Sequence, residues 1–161
     1  MVVGGGPSGC TAATYLARSG LNPLLVAGYA AGGQLMLTGE VENFPGHDQV
    51  RGPDLMASML RQARRSGAEV WSTDCTGITL VGGLKRLLLP NCSIDADAVV
   101  LATGAEAVWL NAKDEFMYRG KGISTCAVCD GAFFKKKDVV VVGGGDSAIE
   151  QVRYIVKQLG L

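Results

Sequence analysis

Val2-Val3-Gly4-Gly5-Gly6-Pro7-Ser8-Gly9-Cys10 opens the chain with an apolar pair, a glycine-rich turn and the start of a segment with helical periodicity. A turn of this kind, between a strand and a helix, lets backbone N–H groups and a helix N-terminus meet a phosphate. In the spacing Gly4-x-Gly6-x-x-Gly9, Gly4 permits the tight turn and Gly6 leaves room for a pyrophosphate. Gly9 lets helix and strand pack closely. The pattern predicts a first strand at residues 1–3, a helix over 8–19 stopped by Gly20, and a buried parallel strand at 24–27. The acidic residue that often binds a ribose hydroxyl belongs at the end of that second strand, about 20 residues on. Ala27-Gly28-Tyr29 stands there instead, so backbone or other side chains must take that role.

A second turn of the same type, Gly143-Gly144-Gly145-Asp146-Ser147-Ala148, follows an apolar run at 139–142 that reads as a strand. A helix is expected from 147 to 158, ended by Gly160. The chain stops before the return strand of that unit, so the second nucleotide site reads as begun and not finished. Between the two turns lies Cys126-Ala127-Val128-Cys129-Asp130. Two thiols at this spacing can close a small disulfide, and an adjacent acid can supply or take a proton. A zinc site needs four ligands. One Cys-x-x-Cys, three scattered cysteines and a single histidine, His47, do not supply them.

The intervening residues carry fewer signals. Residues 31–46 read as a long irregular segment in which the amides of Gln34 and Asn43 either hydrogen-bond a ring system or serve ordinary turn chemistry. Gly52-Pro53-Asp54 marks a helix start, with Leu55, Met56, Met59, Leu60 and Ala63 as its apolar face. Strands are expected at 68–71, 77–81 and 84–89, the last two joined at Gly82-Gly83. Asp95 and Asp97 are read as flanking a turn, followed by a buried strand at 98–102. Ala102, Thr103 and Gly104, at its carboxyl end, then wall the first site. Residues 105–122 read as a crossover.

The bulk numbers exclude several classes. Fifteen basic and fifteen acidic residues in 161 leave no net charge to attract nucleic acid or an anionic membrane. No apolar run is long enough to span a bilayer, and the N-terminus lacks the features of an export signal. Five cysteines with only one close pair fit a reducing compartment. The expected location is cytoplasmic, with a chloroplast or mitochondrion left open.

Taken together, the Gly4–Gly9 turn, Gly32-Gly33-Gln34-Leu35, Val41-Glu42-Asn43-Phe44-Pro45-Gly46, Ala102-Thr103-Gly104, Gly122-Ile123-Ser124 leading into Cys126-Ala127-Val128-Cys129-Asp130-Gly131, and the 143–148 turn resemble the low-molecular-weight thioredoxin reductases. The resemblance runs over nearly the whole chain. It implies an α/β architecture: a Rossmann-like, three-layer FAD-binding domain at 1–112, then the first part of an inserted NADPH-binding domain from 113. It implies FAD at Gly4, Gly6, Pro7, Ser8, Gly9, Gly33, Gln34, Leu35, Asn43, Ala102, Thr103 and Gly104. NADPH is implied at Gly143, Gly145, Asp146, Ser147 and Ala148. The catalytic set carried over is Cys126, Cys129 and Asp130, with Cys129 facing the flavin, Cys126 attacking the disulfide of thioredoxin, and Asp130 exchanging protons. Full-length members are roughly twice this length and usually homodimers. Two other readings stay open: a sibling flavin reductase serving another disulfide partner, such as a peroxide-reducing system, and a non-catalytic FAD-binding remnant.

Overall fold

The computed structural model describes residues 1–160. The backbone divides into two compact units, Met1–Glu106 and the residues from Ala107 onward.

In the first unit, β1 (Val2–Val3) leads through the glycine turn into α1 (Pro7–Arg18) and back to β2 (Leu24–Val26). Proline at the first helical position removes an N–H that would have no partner anyway. A 3-10 turn (Gly33–Leu37) and two short strands, β3 (Glu40–Val41) and β4 (Val50–Arg51), precede α2 (Gly52–Arg65). The stretch expected to be irregular is therefore partly ordered: β3 and β4 pair antiparallel and close residues 42–49 into a loop. Next come β5 (Glu69–Trp71), β6 (Gly77–Val81), β7 (Leu84–Leu88), β8 (Ser93–Ala96) and β9 (Val100–Leu101).

Strands β5, β2, β1 and β9 form, in that order, a parallel sheet. Alternation along the strands decides what each face meets. Val2, Leu25 and Ala27 pack with Cys10 and Ala13 of α1 and Met56 and Ala63 of α2. Val3 and Val26 face the other way, onto Leu87 and Leu89 with Trp71 and Ile94 beside them. Leu87 and Ile94 belong to the antiparallel sheet β6-β7-β8 and Leu89 follows β7, whereas Trp71 ends β5 of the parallel sheet. Helices, parallel sheet and antiparallel sheet make the three layers. Leu25 and Met56 are at most 1% exposed, and burial of side chains this size stabilises by about 1.5–3 kcal/mol each.

Two expectations in this unit need correction. Asp95 does not flank a turn but lies within β8, opposite Arg86 of β7. The Arg86 guanidinium donates to both Asp95 oxygens, at 2.6 and 2.8 Å, and holds that carboxyl below the ordinary aspartate range. An exposed acid is at home in a strand when an opposite charge stands across from it. The run at 98–102 shortens to β9 at the sheet edge, with Val100 37% and Leu101 67% exposed. It pairs on one side only, to β1, so its apolar character does not produce burial.

The second unit contains α3 (Glu115–Tyr118), α4 (Ala127–Asp130), a 3-10 turn (Gly131–Phe134), α5 (Asp146–Tyr154) and a π-helical turn (Ile155–Leu159) that Gly160 closes at φ +66°. The crossover at 105–122 thus holds one helical turn. It is pinned by Glu115, 4% exposed, whose carboxylate accepts the Ala112 N–H at 3.0 Å and lies 3.6 Å from the Arg119 guanidinium. That guanidinium stacks 3.8 Å from the Trp109 ring centroid. The strand expected at 139–142 is not formed: among the described residues nothing pairs with it, and Val140 is 86% exposed. β propensity is a tendency to pack on a sheet and yields no strand without a neighbour. An open groove of about 520 Å³ is lined by Val139, Val141, Val152, Ile155 and Val156 together with the charged Lys137 and Asp138. No helix among the described residues is long and apolar enough to cross a membrane.

Candidate functional site

The first glycine turn is shaped by contacts that only glycine tolerates. Gly4 has φ +113°, and a Cβ there would sit 2.1 Å from the Ala102 carbonyl oxygen. A Cβ on Gly9 would lie 1.8 Å from the carbonyl oxygen of Gly4. Ala102 in turn donates its N–H to Val3 at 2.8 Å. Gly4, Gly9, Ala102 and Thr103 are therefore brought together at the carboxyl ends of β1 and β9.

Gly6 differs from its neighbours. No atom lies within 4 Å of a Cβ built there, although Gly6 is the N-cap of α1 and no side chain caps that helix. Across the gap, Gly32 donates its N–H to Gly5 at 3.0 Å. A Cβ on Gly33 would lie 3.7 Å from Gly6 Cα. The 3-10 turn carrying Gly33, Gln34 and Leu35 thus abuts the glycine turn beside Pro7 and Ser8. Open backbone at Gly6, an uncapped helix start and a second turn beside it fit a pyrophosphate. Gln34 and Asn43 are exposed, as is Gly104 at φ +75°.

The end of β2, which carries no acid in the sequence, has a carboxylate beside it in the structure. Asp74 Oδ1 accepts the Tyr29 N–H at 3.0 Å and stands 3.3 Å from a Cβ built on Gly28. It arrives from the segment after β5, 45 residues from Tyr29. Sequence reading missed it because the fingerprint places its acid on β2 itself. Cys10 lies under the turn, 1% exposed. Burial pushes its thiol up, and Arg64 only partly offsets this, so it is a packing residue and a poor nucleophile.

In the second unit Cys126 and Cys129 form a disulfide with S–S 2.09 Å and Cα–Cα 5.3 Å. Cys126 is the N-cap of α4, its Sγ accepting the Cys129 N–H at 3.1 Å. Cys126 is half-buried and Cys129 exposed. Asp130 ends α4, and its carboxylate takes the Ser124 hydroxyl at 2.6 Å. Ser124 was not among the candidate site residues; it entered the sequence reading only within Gly122-Ile123-Ser124, one of the stretches that carry the resemblance. The Ala127 N–H donates to Gln151 Oε1 at 3.2 Å, tying α4 to α5, the helix that follows the second glycine turn.

That turn repeats part of the first. Gly143 has φ +134°, and a Cβ there would lie 3.2 Å from the Ala148 methyl. Gly144 and Gly145 have open space beside them. Gly145 caps α5 without help from a side chain, and Asp146 and Ser147 occupy the first helical positions. The turn fits a phosphate in the same way.

The family model for pyridine nucleotide-disulphide oxidoreductases matches residues 1–160. The chain belongs to that family. Among curated relatives it is 43% identical over 157 residues to a thioredoxin reductase of Rickettsia conorii, an alignment covering 96% of this chain and 51% of that protein. It is 44% identical over 158 residues to one of Mycolicibacterium smegmatis, covering 98% and 51%. Among solved structures, a thioredoxin reductase from Giardia duodenalis superposes with TM-score 0.86 at 41% identity, over 97% of this chain and 51% of that one. One from Streptococcus pyogenes gives 0.83 at 40%, again over 97% and 51%. The chain spans about half the length of the curated relatives it matches.

Proposed function

We propose that this chain is the flavin-binding and dithiol-bearing part of an NADPH-dependent thioredoxin-disulfide reductase. The observation that carries the reading is the Cys126–Cys129 disulfide, closed beside Asp130 with one of the two cysteines exposed. A buried disulfide with no acid beside it would have neither access nor a proton source.

In this reading FAD is held by Gly4, Gly6, Pro7, Ser8 and Gly9, by Gly33, Gln34 and Leu35 across the gap, and by Ala102, Thr103 and Gly104 as a wall. Asn43 would contact the ring system and Asp74 the ribose. NADPH is held by Gly143, Gly145, Asp146, Ser147 and Ala148. Bound there, the two groups supply hydride chemistry and a two-electron relay to sulfur. The chain's own residues do the remaining work. In the reduced dithiol one thiolate attacks the partner's disulfide, forming one S–S bond and breaking another. The second cysteine then attacks the mixed disulfide, so Cys126–Cys129 re-forms and the partner leaves with two electrons and two protons. Asp130 shuttles a proton at the sulfurs.

Exposure alters one expectation. As residues, Cys129 is exposed and Cys126 half-buried. We therefore assign first contact with the partner to Cys129, the reverse of the assignment carried by the resemblance.

The flavin part is tested by titrating the purified chain with FAD and following the quenching of flavin fluorescence. Saturable but weak binding is expected, with a Kd on the order of micromolar, because the chain spans about half the length of the relatives it matches. A fluorescence that stays linear in added FAD contradicts the reading.

A further inference from the structure

Ser124 connects the acid beside the disulfide to the backbone that carries the sulfur. Its Oγ lies 2.6 Å from Asp130 Oδ2 and accepts the Cys126 N–H at 3.0 Å. A hydroxyl has one proton to donate. The competing acceptor, the Cys126 carbonyl, is farther at 3.3 Å and already takes the Asp130 N–H at 3.0 Å. The Ser124 proton therefore goes to the carboxylate. The bonds close a ring: Cys126 N–H to Ser124 hydroxyl, Ser124 hydroxyl to Asp130 carboxylate, Asp130 N–H to Cys126 carbonyl. Among the described residues no other side chain bonds the Asp130 carboxylate, so this hydroxyl alone sets where it points.

We infer that Ser124 is a positioning residue for disulfide exchange, its hydroxyl fixing the Asp130 carboxyl where it hands protons to and from the Cys126–Cys129 sulfurs. The inference rests on reading that pair as a redox dithiol. The step it serves balances with any external dithiol. A thiolate of the reductant attacks one sulfur, a mixed disulfide forms, and the Cys126–Cys129 bond breaks. The leaving sulfur takes a proton from the Asp130 carboxyl, which recovers one from water. The reductant's second thiol then attacks the mixed disulfide, expels the other cysteine and departs as its own disulfide. The chain gains two electrons and two protons, and the reductant loses them. A carboxyl free to swing into solvent would meet the leaving sulfur only part of the time.

The test is the rate at which dithiothreitol reduces the oxidised full chain, read by acid quench and mass-counted thiol labelling. Ser124→Thr keeps the hydroxyl and Ser124→Val has the same shape without it, so comparing the two separates the hydrogen bond from packing. Thr is expected within about twofold of wild type and Val about fivefold slower, the worth of one ordinary hydrogen bond. Asp130→Asn is expected to slow reduction at least as much as Val. Adding Val to that background should cost less than about twofold more, since the two act as one unit. Equal rates for Thr and Val, or a Val effect undiminished beside Asp130→Asn, would overturn the inference. A wild-type disulfide that dithiothreitol reduces only after unfolding would remove the redox reading itself, and the positioning role with it.

Discussion

Gly9→Ala is expected to destabilise the first unit by about 3 kcal/mol or more and to abolish flavin binding, as measured by thermal denaturation and FAD titration. The added methyl would lie 1.8 Å from the Gly4 carbonyl oxygen. That atom belongs to the backbone of a turn already at φ +113°, so it cannot swing aside as a side-chain tip would. Relief requires α1 to move off β1, and both contribute buried residues to one core cluster through Cys10, Ala13 and Val2. Gly6→Ala is the informative comparison. Its methyl meets no atom within 4 Å, and Gly6 sits at φ −78°, where alanine is comfortable. The melting point should stay near that of wild type while FAD affinity falls by about tenfold or more, because the methyl takes the space a pyrophosphate needs. If Gly6→Ala binds FAD as wild type does, the open space at Gly6 is not where a phosphate sits.

Replacing either sulfur is expected to remove net electron transfer altogether, a loss of at least about a thousandfold. The chain is reduced with dithiothreitol, desalted and mixed with oxidised thioredoxin, and the thiols on each protein are counted after quenching. Wild type should re-form Cys126–Cys129 and leave thioredoxin with two thiols. Cys126→Ser and Cys129→Ser can each reach only a mixed disulfide, which the partner's second thiol reverses. Because Cys129 is exposed and Cys126 half-buried, Cys126→Ser should form that mixed disulfide faster than Cys129→Ser. The opposite order would restore the assignment that resemblance alone implies. A single variant that still yields fully reduced thioredoxin would mean that the electrons come from elsewhere in the chain.

What the sequence made legible follows how local each signal is. The β1–α1–β2 unit could be read from Gly4, Gly6 and Gly9 because all three fall in one short strand–turn–helix stretch, although only Gly9 meets a close neighbour in sequence and the space at Gly4 is limited by Ala102. The hairpin at Gly82 and Gly83 was legible for the same reason, both having positive φ. β8 was missed because Asp95 looks like a turn residue until Arg86 is known to stand opposite. Residues 139–142 have strand composition, but pairing depends on a neighbour that composition cannot name. In the site, Cys126, Cys129 and Asp130 announced themselves by spacing. Ser124 and Asp74 did not, since each matters through one hydrogen bond to a residue that the chain must first fold to bring near. Gln151 is of the same kind, a helix-surface amide until it is seen accepting the Ala127 N–H.

Exchange equilibrium between the reduced chain and oxidised thioredoxin tests the proposed redox role most directly. A dithiol that serves thioredoxin must be poised near the partner's potential, about −270 mV, where each tenfold in the equilibrium constant is about 30 mV. Mixed at equal concentrations and quenched at equilibrium, the two proteins should share the electrons with a constant within about tenfold of one. A Cys126–Cys129 pair that hands over essentially all its electrons and cannot be re-reduced by excess thioredoxin would be poised like a structural disulfide, below about −300 mV. That result would contradict the claim that this pair exchanges electrons with thioredoxin reversibly.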